Sequence, residues 1–338
     1  MRGLRIRRMW IGRRRGRYEW GRNELGALLS RGSGIGMEVM SCTKIDPALH
    51  QARKPEWIKV RLPANPVFFS TKNLVEDLRL HTVCESAQCP NRWECWSSGT
   101  ATFMIAGDRC TRACGFCAVT TAKPFPLEAD EPERVAEAVR RMRLKHVVVT
   151  AVARDDLKDG GAEHFARTIR AIRGVDESIV IEVLTPDFHA KEPLIRVVTD
   201  AAPEIFNHNI ETVERLTPAV RSRAKYKVSM ETLRKAKEIA PEIVTKSGIM
   251  LGLGEMEAEV LQTMDDLRAH GVQVMTIGQY LRPSANHLPV VEYIHPDVFA
   301  RYKDEGYARG FEHVASGPLV RSSYHAADFQ PSKLVKKG

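Results

Sequence analysis

The chain has 338 residues, 43% hydrophobic and 28% charged, a globular composition long enough for one large domain or two ordinary ones, which excludes collagen, wholesale disorder and a disulfide miniprotein. Its longest nearly apolar run, Val147 to Ala153, falls far short of the roughly 20 residues of a membrane-spanning helix, so no membrane partner is expected. The formal charge of +9 sits almost wholly in residues 1–36, which carry +8, so the body is close to neutral and no nucleic acid partner is expected.

Residues 1–36 hold ten Arg, no Lys and only two acids, Glu19 and Glu24. They read as a disordered tail, or as codons upstream of a start at Met37 or Met40, and a cytoplasmic location follows. An organellar transit peptide is the alternative, which would place the protein in an organelle matrix, but serines are few and no amphipathic face is clear. Trp10 and Trp20 are not counted as core.

Six of seven cysteines fall in two triplets, Cys84, Cys89 and Cys95, then Cys110, Cys114 and Cys117, while Cys42 stands alone and reads as an ordinary thiol. Without a secretion signal three disulfides are not expected, and thiolates suit zinc or iron with sulfide. Structural zinc normally takes four ligands in two close pairs. Three thiolates on an iron-sulfur cube instead leave one iron open, so the grouping in threes favours two iron-sulfur clusters over zinc.

Thr102–Ile105 is a short strand candidate running into the Cys110 loop, and Asp130 followed by Glu131-Pro132 reads as an N-cap with proline in the first helical turn. Further strands are expected at 145–150, 179–184, 204–208, 243–250 and 272–277. Between several of them lie helical patterns, such as Val135, Ala138, Val139 and Met142 on one face. Strands alternating with helices imply an α/β fold with parallel strands and outer helices.

Cys110-Thr-Arg-Ala-Cys114-Gly-Phe116-Cys117 resembles the signature of radical S-adenosylmethionine enzymes. That resemblance implies a 4Fe-4S cluster on Cys110, Cys114 and Cys117 whose open iron is chelated by S-adenosylmethionine, with Phe116 beside the cofactor. Cys84-Glu-Ser-Ala-Gln-Cys89-Pro-Asn-Arg-Trp-Glu-Cys95 is similar to the auxiliary-cluster motif of lipoyl synthases, and Arg321-Ser322-Ser323-Tyr324 resembles their Arg-Ser-Ser-Tyr motif. The likeness runs from Arg53-Lys-Pro-Glu-Trp57 to about Gln330. It implies a partial (β/α)6 TIM-type barrel with N-terminal and C-terminal extensions that carry the auxiliary cluster. On that reading residues 37–100 are the N-terminal extension, 101–285 the barrel and 286–338 the C-terminal segment.

Active residues of such barrels gather at the C-terminal ends of strands. After the second strand, Arg154-Asp155-Asp156 stands where the wider superfamily often has Gly-Gly-Glu, so the contact to the amino group of S-adenosylmethionine is left open; Asp155 and Asp156 read equally as caps of the helix entered near Gly160-Gly161. After the fourth, Asn207-His208-Asn209-Ile-Glu211 resembles a stretch of the related biotin synthases. Asn209 and Glu211 are thereby implied as contacts to the ribose or the methionyl amine. Strand alternation turns His208 away from them, toward a structural role. Gly248, Gly252 and Gly254 permit either close approach of a ligand or tight packing of strand on helix.

A serine near a chain end reads ordinarily as a surface residue or a cap. The resemblance instead makes Ser323 the ligand of the fourth iron of the auxiliary cluster. What it implies for the activity is insertion of two sulfur atoms, at carbons 6 and 8 of an octanoyl chain on a lysine of a lipoyl carrier domain. Two molecules of S-adenosylmethionine are used per lipoyl group, and the auxiliary cluster is consumed as sulfur source. The implied partners are octanoylated lipoyl domains of 2-oxoacid dehydrogenase complexes, the H protein of glycine cleavage, a reducing electron donor and an iron-sulfur carrier for repair. A ferredoxin-type electron carrier would need four cysteines per cube in a shorter chain, a zinc module would be colourless, and biotin synthase would lack the upstream triplet and Arg-Ser-Ser-Tyr.

Overall fold

The computed structural model describes residues 53–58, 66–98, 100–324, 326 and 329. The Arg-rich segment with Trp10 and Trp20, and Cys42, lie outside the described residues.

Eight strands form one sheet: β1 (His81–Thr82), β2 (Thr102–Ile105), β3 (His146–Ala151), β4 (Val180–Leu184), β5 (Ile205–Asn207), β6 (Val244–Leu251), β7 (Val274–Gln279) and β8 (His313–Gly317). They are hydrogen-bonded in chain order. β1 is antiparallel to β2, and every later pair is parallel. Each parallel step crosses over through a helix: α4 (Glu131–Met142), α5 (Ala162–Arg173), α6 (Glu192–Thr199), α7 (Tyr226–Ile239), α8 (Glu257–Ala269) and α9 (Pro296–Ala308). Ahead of the barrel stand α1 (Pro66–Asp77), α2 (Val83–Ser86) and α3 (Arg92–Ser97).

All six expected strands are present, the one at Thr102–Ile105 at its expected bounds and the other five with ends shifted by up to two residues. β8 was not expected: it lies in the 286–338 segment and makes a seventh parallel strand, buried fully only at Val314. Too little of it is apolar for periodicity to find it.

Two apolar layers hold the helices to the sheet. Val149, Ile181 and Phe206 meet Val135, Val139, Phe165 and Ile195 in one. Met275, Ile277 and Val314 meet Leu233, Met264 and Phe299 in the other. Full burial of each such side chain contributes about 1.5–3 kcal/mol. On α4, Val135, Ala138 and Val139 are buried and Met142 is partly so, as the periodicity requires. Asp130 stands at the N-cap without capping. Its carboxylate is taken instead by Arg79 and Arg134.

Alternate strand residues point into the barrel. One interior layer is ionic: Glu182 of β4 accepts from Lys246 Nζ of β6 at 2.9 and 3.0 Å and from Asn207 Nδ2 of β5 at 2.9 Å. His146 of β3 approaches the same carboxylate at 3.7 Å.

Candidate functional site

A cavity of about 840 Å³ is lined by the C-terminal ends of the strands and by the segments carrying both cysteine triplets. All six of these cysteines are free thiols, and all six line this cavity.

The first triplet rides on a small helical unit. Thr82 caps α2, its hydroxyl accepting from Glu85 N, and α2 carries the buried Cys84. Cys89 N closes onto Cys84 O at 3.0 Å, and Thr100 holds Cys95 O through both its N–H and its hydroxyl. Phe68 of α1 stacks on Trp93 at 4.3 Å and packs near Trp96, fixing α3 from outside.

The second triplet occupies the loop after β2. Thr111 donates to Ala153 O through N–H and hydroxyl. Gly115 N donates to Val220 O and Gly115 O accepts from Leu288 N, each at 2.9 Å. A Cβ at Gly115 would stand 2.9 Å from the Leu288 side chain, so any larger residue requires Leu288 to shift. Phe116 packs toward Val220, Leu253 and Tyr280.

Between these cysteines, Arg112 turns inward and forks onto two carboxylates, Asp155 at 2.8 Å and Asp187 at 2.7 Å. Both carboxyls are held below the usual range. For Asp155 the Arg112 hydrogen bond is the largest influence, and for Asp187 burial works against the charge before Arg112 prevails. Asp155 therefore anchors the cysteine loop, and Asp156 pairs with Arg154 at 2.9 Å. Neither caps α5. That task falls to Asp159, which accepts from Gly161 N and Glu163 N.

Asn209 and Glu211 both line the cavity, with Asn209 Nδ2 3.2 Å from Glu211 Oε1 and 3.2 Å from Ser322 Oγ. Asn209 Oδ1 is buried with no partner among the described residues. Burial raises the Glu211 carboxyl despite Arg221 nearby, and its backbone is left-handed at φ 69°, a conformation that costs a non-glycine residue about 1–3 kcal/mol and concentrates at binding sites. His208 bonds Thr185 O at 2.8 Å and Ser229 Oγ at 2.9 Å; burial drops its pKa to about 4, so it stays neutral in the structural place expected of it.

Gly248 serves the site rather than a helix, since a Cβ there would stand 2.5 Å from Thr276 Oγ1 and 2.9 Å from Asn209 Oδ1. Gly252 instead clears Gln279 and the Glu292 carbonyl, and its loop is tied down by Glu255, which accepts from Gly252 N and Leu253 N.

β8 delivers Arg321-Ser322-Ser323-Tyr324 to the first triplet. Thr102 Oγ1 donates to Ser323 Oγ at 2.9 Å, Asn91 Nδ2 donates to Leu319 O at 2.7 Å, and the Tyr324 hydroxyl donates to the Glu94 carboxylate at 3.0 Å. Thr102, Arg112, Asp187, Asn91 and Arg221 were missed in the sequence: Asn91, Thr102 and Arg112 stand near the cysteines, whereas nothing local marks Asp187 or Arg221.

The donor set, thiolates in each triplet, suits iron and sulfide. Burial raises the Cys84 thiol and pushes Cys95 to about 12, where Cys84 and Cys89 add to the rise; Cys114 and Cys117 are likewise raised by burial, to about 11 and about 12. Thiols crowded in this way ionise only against a cation, which iron supplies. Among the described residues no three His, Cys, Asp or Glu groups converge on a point as a single ion requires.

The fold and the cysteine-lined mouth of the barrel define an enzyme of the radical S-adenosylmethionine class, and the Radical SAM superfamily matches residues 104–267. The N-terminal domain of lipoyl synthase of that family matches residues 42–89. Lipoyl synthase of Rubrobacter xylanophilus is 58% identical over 273 residues, 81% of this chain and 85% of that one. Lipoyl synthase of Geobacillus kaustophilus is 57% identical over 285 residues, 84% and 95% of the two chains. The chain belongs to the lipoyl synthase family. Among solved structures, Streptococcus suis SuiB bound to S-adenosylmethionine shares the fold at a TM-score of 0.52 and 10% identity, covering 73% of this chain and 60% of that one. Radical S-adenosylmethionine chemistry with a four-iron cluster follows from the membership. Among the described residues no helix is long and apolar enough to cross a membrane.

Proposed function

We propose that this chain inserts sulfur at carbons 6 and 8 of an octanoyl group held on a lysine of a lipoyl carrier domain, using two clusters with different tasks. Cys110, Cys114 and Cys117 hold the radical cluster; Cys84, Cys89, Cys95 and Ser323 hold the auxiliary one. When bound, the first cluster supplies the electron that cleaves S-adenosylmethionine to a hydrogen-abstracting radical, and the second supplies two sulfur atoms.

The protein's own part is placement. Asn209 Oδ1 offers a buried acceptor suited to a ribose hydroxyl, and Glu211, shielded from water, suits the methionyl ammonium. Phe116 walls the same side. Arg112, tied to Asp155 and Asp187, keeps the Cys110 loop rigid, so that Cys110, Cys114 and Cys117, which would hold the cluster, stay in place at the cavity. Residues 37–100 and 286–338 bring the auxiliary ligands to the barrel of 101–285. The carrier domains of 2-oxoacid dehydrogenases and of glycine cleavage, an electron donor and an iron-sulfur repair carrier are the partners this activity requires, in a cytoplasmic setting.

The observation that supports the reading is that Ser323, held by Thr102, lines the same cavity as both cysteine triplets. Anaerobic reconstitution should give about eight iron and eight sulfide per chain. Incubated with reductant and S-adenosylmethionine, the enzyme should convert an octanoyl-lysyl peptide to its dithiolated form by mass spectrometry. Dithiolated product from Cys89→Ala would remove the auxiliary cluster as sulfur source.

A further inference from the structure

Arg321 leads the Arg-Ser-Ser-Tyr segment. It follows β8, lines the cavity shared by the two triplets, and among the described residues makes no ion pair with a carboxylate. Its Nη1 donates to Val320 O at 2.6 Å, which bends the side chain back over β7. Gly278 of β7 makes room for this: a Cβ there would overlap the Val320 carbonyl and stand 3.3 Å from Arg321 Nη1. The barrel thus clears a space for a cation and, among the described residues, pairs it with no carboxylate. Arg321 stands two residues before Ser323, whose hydroxyl Thr102 holds, and both line the cavity together with Cys84, Cys89 and Cys95.

A guanidinium stays protonated in proteins, so holding one half-buried in a cavity without a counter-charge is costly. A cube with a core charge of about 2+, held by three thiolates and a serine alkoxide, carries a net charge of about 2−. We infer that Arg321 is the counter-ion of the auxiliary cluster, a positioning residue whose fixed charge stabilises the reduced cluster and slows loss of its iron until sulfur is taken. The inference rests on the two-cluster reading and goes beyond it, because no ligand changes when Arg321 is replaced.

The test is made on full-length enzyme reconstituted with iron and sulfide. Substituting Ala for Cys110, Cys114 and Cys117 together leaves the auxiliary cluster as the only one read. About four iron per chain in that background is what the two-cluster reading requires; none would overturn that reading and the inference with it. On the background, Arg321→Gln should lower the reduction potential by at least a tenfold change in the one-electron equilibrium, about 59 mV. It should also speed iron transfer to a chelator several-fold. Arg321→Lys keeps the charge and should restore most of both. Wild-type potential and iron release in Arg321→Gln, with about four iron bound, would overturn the inference while leaving the two clusters standing. If Arg321→Gln fails to hold iron, Arg321→Lys decides: near wild-type potential supports a charge role, and equal failure overturns it.

Discussion

Thr102 and Ser323 stand 221 residues apart in the chain, yet the Thr102 hydroxyl donates to Ser323 Oγ at 2.9 Å. Thr102 opens β2, and its backbone and hydroxyl also draw the neighbouring Cys84 thiol downward against the rise that burial imposes. One threonine therefore sets two of the four groups proposed for the auxiliary cluster. Thr102→Val keeps shape and β-branching but removes the donor. Stability should fall by only about 0.5–1.5 kcal/mol, read by urea unfolding. Dithiolated product should fall about tenfold or more, about 1.4 kcal/mol at the transition state, and Thr102→Ser should restore most of it. Wild-type product from Thr102→Val would show that Ser323 needs no such guide.

The radical cluster should fail independently of the auxiliary one. Cys114→Ala should abolish formation of 5'-deoxyadenosine and retain about four iron per chain, because each triplet has its own supports in the fold. Chromatographic measurement of 5'-deoxyadenosine decides the first point and iron analysis the second. Normal cleavage in this variant would remove Cys114 from the site.

The six strands from Thr102 to Gln279 were legible because each is a short apolar run between helical patterns. Both cysteine triplets were legible because cysteine is rare and its spacing is chemical. β8 was hidden by its polar and small residues, and with it the path that brings Ser323 to Thr102. The anchoring of the radical loop was hidden for another reason: Arg112, Asp155 and Asp187 come from three separate segments, and only the barrel's closure brings a cation to two distant acids. Asp155 and Asp156 illustrate the same limit, since local pattern offered them as helix caps while tertiary pairing took them elsewhere.

Residues 1–36 precede the stretch matched to lipoyl synthase, which begins at residue 42. Deleting them should leave iron content, thermal midpoint and dithiolated product unchanged, since the segment has little periodic apolar surface to bury. A fall in midpoint or product in the truncated enzyme would reveal a docked element.

The ionic layer inside the barrel predicts an unusual pH dependence. Glu182 is fully buried; desolvation alone would raise its carboxyl, but Lys246, and His146 after it, hold it down at about 2. A carboxyl whose folded pKa lies below its unfolded value contributes stability that is present above the unfolded value and is lost as pH falls through the folded one. Wild-type stability should therefore drop on acidification from about pH 4.5 toward about 2 through this group. Lys246→Met removes the balancing charge and leaves Glu182 uncompensated, at a cost of about 3–5 kcal/mol near neutrality. Its carboxyl pKa should then rise above the unfolded value, so the variant should gain stability from this group as pH falls from 7 toward 5. Adding Glu182→Gln to Lys246→Met should flatten that slope and recover part of the loss, because an amide is far less costly to bury than a carboxylate. Urea unfolding of wild type and both variants across this range checks the sign. A Lys246→Met protein that loses stability on acidification from pH 7 to 5 while the double variant does not would show that Glu182 is held in its ionised form by something other than Lys246.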